Sequence, residues 1–404
     1  ARTDGIARDY PGVPVMKGRK ARFALTLFLV LLVFGLGTKI VNAEGTEQDE
    51  DKVRIETEDA LLSEFDFDEI EDSLRTMFPG EKLSFQDVLS SMISGDPGEI
   101  GKTFLSYLSD QVFYEFNYNR RNLVYVLLVS LTAAVFSSFA GAFRSRQISE
   151  ISFYVMYMLL ITLCLTSFQT ASAGAEERLE TLTEFMRVLC PSYFLAVAFV
   201  SGSAAALFFY QVLLLIIYAV ELVIVRFLMP VINVYIMIQV LGNLTGEDVV
   251  SEFADLLKKV VTWILKTMLA CVIGVNAVQG ILAPAIDTLK RSALTRTAEA
   301  LPWVGNAIGG AAEIVLGTAV LIKNGIGMAG AVIALCLFAV PVLQMLVMAF
   351  MYKLAAALVQ PVSDKRITSC ISGISEGYEL MVRVIFTAGV LFLLTIAVVA
   401  ASTS

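Results

Sequence analysis

The sequence predicts an all-α, polytopic helical membrane protein with a short acidic helical extracytoplasmic segment at its amino-terminal end. Three observations carry that prediction. The stretch Leu301 to Pro361 is apolar almost throughout, with only Glu313, Lys323 and Lys353 as widely spaced charges. A helix facing the core of a soluble domain needs a polar back face, and this run has none. The 404 residues are 57% hydrophobic and 17% charged, with a mean hydropathy of +0.73, which excludes an ordinary globular enzyme. The excess acid behind a net charge of -8 lies mostly in one segment before the membrane body.

Taken in order, residues 1–15 have no apolar pattern and are read as an unstructured leader. Residues 16–43 read as a signal peptide: Lys17, Arg19, Lys20 and Arg22 form a basic region, Phe23 to Leu36 an apolar one, and Val41-Asn42-Ala43 a small-residue cleavage site. The segment 44–119 is then exported. It is dense in Asp and Glu from Glu44 to Glu71, and Leu61, Leu62, Phe65, Ile70, Leu74, Met77 and Phe78 recur near helical spacing until Pro79-Gly80. Ser84 to Asp87 reads as the cap of a second helix reaching Ile93, and Glu99 to Phe116 as a third. This segment is either a solvated hairpin that anchors nothing or a docking module for an extracytoplasmic partner.

The membrane domain, 120–404, is expected to cross about seven to eight times, at ~20 residues per span. Leu123 to Phe143 is the first span, closed by Arg144 and Arg146 on the cytosolic side. Ile151 to Ala171 returns, and Glu176, Glu177, Glu180 and Glu184 are expected in an external helix or loop. Val188 to Leu241 fits two steep spans or three short ones, broken at Pro191, Gly202 and Pro230; two agree better with the positive-inside bias. Val260 to Ala283 and Leu380 to Ala400 supply further spans. The segment Trp303 to Ile322 holds Gly305, Gly309, Gly310 and Gly317, and its length suits a broken or re-entrant helix; Ile326 to Met351 spans, with a bend at Pro341. Pro191 and Pro230 are separated by the same interval as Pro302 and Pro341, which suggests an internal repeat of the kind common in transport folds.

Chemistry is limited by inventory. The chain has no histidine, and its five cysteines form no C-x-x-C pair and read as small buried hydrophobes. Gly325, Gly327 and Gly330 match G-x-G-x-x-G letter for letter, yet no strand precedes them and no acid follows at the required distance. Close helix packing is the better reading of these glycines. No catalytic, cofactor-binding or metal-ligating residue is assigned. Ionisable groups inside apolar runs usually face a cavity or a partner. Glu221 and Arg226 are the deepest; five residues apart on an α-helix puts them about 140° from each other, so they are expected to meet different neighbours. Glu313 and Lys323 flank the glycine-rich segment, and Asn276 and Gln279, with Asn233, Gln239 and Gln344, either line a polar path or bond helix to helix.

The run from Thr295 through Ala311, continuing across Leu321 to Gly330 and on from Tyr352 to Pro361, resembles the stage III sporulation protein AE family of endospore-forming bacteria. The similarity covers nearly the whole chain after Met16 and is most specific from Arg296 to Pro361. The resemblance implies a multi-pass protein of the mother-cell (outer forespore) membrane, its amino-terminal segment in the intermembrane space. It further implies a noncatalytic channel or export-platform subunit of the complex joining mother cell and forespore. Implied partners are the other products of the stage III sporulation A operon, including a cytosolic ATPase and ring-forming intermembrane proteins, in a homo-oligomer or hetero-complex within the lipid bilayer. No nucleic-acid partner and no cofactor are expected. A self-sufficient secondary transporter and a scaffold that recruits ring proteins are the alternatives.

Overall fold

A computed structural model describes residues 67–77, 84–94, 109, 113–114, 116–121, 123–133, 135, 146–201, 203–245, 248–298 and 305–402. The chain divides into two units, Ala1–Val53 and Arg54–Ser404, and the first lies outside the described residues, as does the expected signal peptide. The described residues of the second unit form helices and turns, with no strand among them.

Two short helices come first, α1 (Asp68–Met77) and α2 (Phe85–Ser94). Asp68, Glu69 and Glu71 occupy the first turn of α1 and Arg75 its last, each sign placed where the helix dipole favours it. Ser84 caps α2 as its sequence promises, its hydroxyl accepting the Asp87 amide at 3.3 Å. The reciprocal acid comes from the other helix: Glu71 accepts both the Ser84 hydroxyl at 2.8 Å and the Gln86 amide at 3.0 Å. A free-standing solvated hairpin is not what results. Phe67, Ile70, Leu74, Phe85 and Leu89 are buried, with α1 packed on the third helix and α2 on the seventh.

Five long helical rods make the body. They are α3 (Arg146–Ser201); α4 (Ser203–Ala219), continued by a π-helical segment (Val220–Leu228) and α5 (Met229–Thr245); α6 (Asp248–Ala298); α7 (Gly305–Val359); and α8 (Lys365–Ser402). Several expected breaks are absent. Glu176 to Glu184 take the helical one of their two expected forms, but inside α3, and the glycine-rich segment after Trp303 is part of one continuous α7 rather than a re-entrant piece. Pro191 and Pro341 sit inside α3 and α7 without ending them; Pro302 lies outside the described residues. The first expected span is helical over 123–133, and its remainder is largely outside the described residues.

Four of the described helices are long and apolar enough to cross a bilayer: Phe153–Ala198, Tyr210–Gly242, Gly317–Val359 and Lys365–Ala397. At ~1.5 Å per residue the 56-residue α3 is about 84 Å long, more than twice the ~30 Å of a hydrocarbon core. The bundle therefore extends well beyond one.

Contacts fix the order and direction of the rods. Arg366 lies 4.2 Å from the ring centre of Phe153, Phe168 meets Tyr378 edge to face, and Tyr193 donates to the Ile396 carbonyl, so α3 and α8 run in parallel. Tyr157 donates to the Val240 carbonyl while Arg187 reaches Glu221, so the α4–α5 rod runs antiparallel to α3. Ser375 bonds the Ala349 carbonyl and Lys323 the Ala400 carbonyl, so α7 runs antiparallel to α8. The last helix is the interior post. In its most apolar stretch 67% of the residues are buried, against 33% in that of α3, and it packs on α3, α4, α5, α6 and α7. The turn that precedes it is well terminated: Pro361 follows the end of α7, and the Asp364 carboxylate accepts the Arg366 amide at 2.9 Å.

Small residues set the closest approaches. A methyl group on Gly327 would come within 3.1 Å of Tyr193, and one on Gly330 would press on Leu189, so these two glycines let α7 lie against α3. At Gly389 the ring of Phe338 crowds the site, with Cδ1 2.6 Å and Cδ2 2.7 Å from the position of an added Cβ. Phe338 is 5% exposed and has nowhere to swing. Gly389→Ala is expected to cost about 1–3 kcal/mol through overpacking. Gly317→Ala, with nothing within 4 Å, is expected to gain up to ~1 kcal/mol from helix propensity. Thermal melting of the two purified variants in detergent checks the opposite signs.

Candidate functional site

The π-helical segment places the deepest acid. Proline at 230 has no amide hydrogen and its ring presses on the carbonyl four residues earlier, that of Arg226. The widened turns end there, closed by the Met229 amide donating to the Ile224 carbonyl. Glu221 lies in the first turn of this segment and accepts Arg187 of α3 at 3.0 Å, while Arg187 also bonds Glu184 at 3.1 Å. Arg226 is exposed. In an i→i+5 helix residues five apart sit closer to one side than the α-helical period implies. Even so, Glu221 pairs with Arg187 of α3.

Lys323 meets a partner across the bundle. It is 0% exposed, and its ammonium lies 3.4 Å from the carbonyl of Ala400, in the last turns of α8. That carbonyl belongs to the negative end of the α8 dipole, so Lys323 serves as a cationic cap brought from a neighbouring rod. Glu313 belongs to α7 and Asn276 and Gln279 to α6, but their side chains lie outside the described residues. The same holds for the surroundings of Gly305, Gly309 and Gly310, whereas Gly325 is buried within α7.

A second charged contact joins three rods. Lys258 of α6 is ion-paired with Glu376 of α8, and the buried Tyr235 of α5 bonds the same carboxylate. In the sequence Lys258 and Glu376 stand out from their polar surroundings by no local motif. Their one available signal was position, since each stretch opens the helix that follows a proline-bearing rod. Nearby, Glu379 and Arg383 stand 3.8 Å apart one turn along α8. Asn233 Oδ1 on α5, Gln344 Oε1 on α7 and Ser172 Oγ on α3 are buried without a hydrogen-bond partner. Among the described residues no group of three or more Cys, Asp or Glu is placed to hold a metal ion. Of the cysteines, Cys164, Cys190, Cys336 and Cys370 are buried and Cys271 is exposed.

Long apolar rods packed around an interior post, with ion pairs tying rod to rod, define an integral membrane protein of the polytopic helical class. The particular family follows from comparison. The family model for stage III sporulation protein AE matches residues 83–403. A relative of that name from Bacillus subtilis (strain 168) is 28% identical over 390 residues, covering 94% of this chain and 97% of its own. The chain belongs to the stage III sporulation protein AE family, and its role is in sporulation. No solved structure matches.

The pair at the π-helical segment yields a prediction of its own. Arg187 and Glu221 have side chains 51% and 34% exposed, and pairs so open are worth about 0–1 kcal/mol. Glu221→Gln is expected to leave melting within that margin while altering sporulation efficiency if the group serves passage. Unchanged efficiency would assign Glu221 to packing alone.

Proposed function

We propose that this chain is a noncatalytic subunit of a channel or export platform in the mother-cell membrane, its amino-terminal segment in the intermembrane space. The observation that supports this reading most is the placement of charge. Arg187–Glu221 joins two rods that are otherwise apolar enough to cross a bilayer, Lys258–Glu376 ties α6 to a third such rod, and each pair remains partly open rather than sealed in the core. Ionisable groups at such places characteristically face water-filled cavities or partners.

In this reading helix packing forms a polar route whose opening depends on assembly. The energy comes from outside the chain, from a cytosolic ATPase encoded with it, and ring-forming intermembrane proteins receive what passes. Reconstitution tests the reading. Flux through vesicles only when the partner proteins are present is the expected result. Solute-coupled flux by the purified chain alone would make it a self-sufficient transporter, and absence of flux in every combination would make it a scaffold.

A further inference from the structure

The interior post is not covered on every side. α8 packs on all the other rods, yet among the described residues α6 and α7, consecutive in sequence, scarcely touch each other, so no described helix covers the face of α8 between them. That face has a composition of its own. Ser369, Ser372, Glu376, Glu379, Arg383 and Thr387 fall within an arc of roughly 80° by the 3.6-residue period and extend over ~27 Å, close to the thickness of a hydrocarbon core. None of the six is buried, and the side chains of Glu376, Arg383 and Glu379 are 35%, 37% and 47% exposed.

The same level of the bundle is mainly apolar on its outside, with the exposed Lys259 on α6 as an exception. Phe153 stands against Arg366, Tyr157 against Val240, and Ser375 against Ala349, which sets the ends of these rods side by side. There the outward residues include Tyr154 and Met158 on α3, Met237 on α5, Trp263 on α6, and Phe350 and Leu354 on α7. Such a belt suits lipid, and a charged stripe at that depth facing acyl chains would be strongly unfavourable.

Both walls add polar groups. On α6, Asp255, Thr262 and Lys266 lie within about 80° of Lys258, on the flank that carries the bond to Glu376. On α7 the exposed Lys353 follows the α8-facing Ala349 by one turn.

We infer that the gap between α6 and α7, floored by this face of α8, is a water-filled cleft at bilayer depth and forms one wall of the route for hydrated ions and small polar solutes. The use as a route rests on the channel reading above; the hydration of the cleft does not. Both signs of charge line it, so it admits polar solutes without strong selection between anions and cations.

Thiol accessibility tests it in the full chain, within membranes of sporulating cells that hold its natural partners. Cys271→Ser removes the exposed native thiol. Ser372→Cys, Glu379→Cys and Thr387→Cys are then compared with Phe350→Cys on the outward belt, using a membrane-impermeant charged methanethiosulfonate. Modification of the three cleft positions at least about tenfold faster than Phe350→Cys is expected, since only a hydrated site stabilises the reactive thiolate. Rates equal to that of Phe350→Cys would overturn the proposal, because the cleft would then be filled by lipid or protein. Fast modification without flux in reconstituted complexes keeps the cleft and removes the channel reading. Flux with unmodified cleft positions keeps the channel and removes the cleft.

Discussion

Lys323→Glu is expected to abolish the folded protein, whereas Lys323→Met is expected only to weaken it. The ammonium lies fully buried beside the carbonyl end of α8, where a positive charge meets the negative end of the dipole and donates to the Ala400 carbonyl. Methionine keeps the length and apolar stem and loses the charged hydrogen bond, a loss of about 1.5–3 kcal/mol. Glutamate places a second negative group against that end, without solvent. A carboxylate there must either remain ionised at a cost of several kcal/mol or take up a proton to escape it. Melting of the detergent-solubilised variants, with the yield in the membrane fraction, checks the ranking. Equal behaviour of the two variants would mean that Lys323 is not the cap described.

The second large effect is expected at the junction of α5, α6 and α8. Glu376→Ala leaves the Lys258 ammonium and the Tyr235 hydroxyl without their shared acceptor. The ion pair's side chains are 31% and 35% exposed, so the loss is set below that of a fully buried pair, at about 1–3 kcal/mol. Exchanging the charges, Lys258→Glu with Glu376→Lys, is expected to recover most of the stability lost by either single reversal. A double-mutant cycle measured by melting should give a coupling of at least about 1 kcal/mol. Strict additivity would contradict the pair.

Hydropathy made the membrane body legible because it sums over side chains, and long apolar runs such as Ile326 to Met351 leave little choice. It was a poor guide to where helices stop. Glu176 to Arg187 resembles a loop when charges are counted, but Glu177, Glu180 and Glu184 share one exposed side of an unbroken α3 while Leu179, Leu182, Phe185 and Met186 are buried. A continuous helix tolerates charge on one side, which a window average cannot separate from a break.

Proline misled in the opposite direction. Pro191 and Pro341 read as helix breaks, but both lie within helices that continue, and among the described residues the π-helical widening adjoins Pro230. The glycines were easier. Packing was the favoured reading of Gly327 and Gly330, and the neighbouring Tyr193 and Leu189 leave no room for side chains there. The site was least legible where it depends on helices distant in sequence. Nothing local pairs Lys258 with Glu376, 118 residues away, or Lys323 with the carbonyl of Ala400, 77 residues away.

Every functional statement above depends on α8 standing inside the bundle in the described register. Disulfide trapping in native membranes tests that register most directly, with the exposed Cys271 first replaced by serine. The pairs Ile236→Cys with Gly377→Cys, Phe338→Cys with Gly389→Cys, and Leu189→Cys with Gly330→Cys place side chains that now touch within bonding range. All three are expected to cross-link on mild oxidation, while Trp263→Cys with Phe350→Cys, on rods that scarcely meet, is expected not to. Cross-linking of that last pair, with the two α8 pairs silent, would contradict the account.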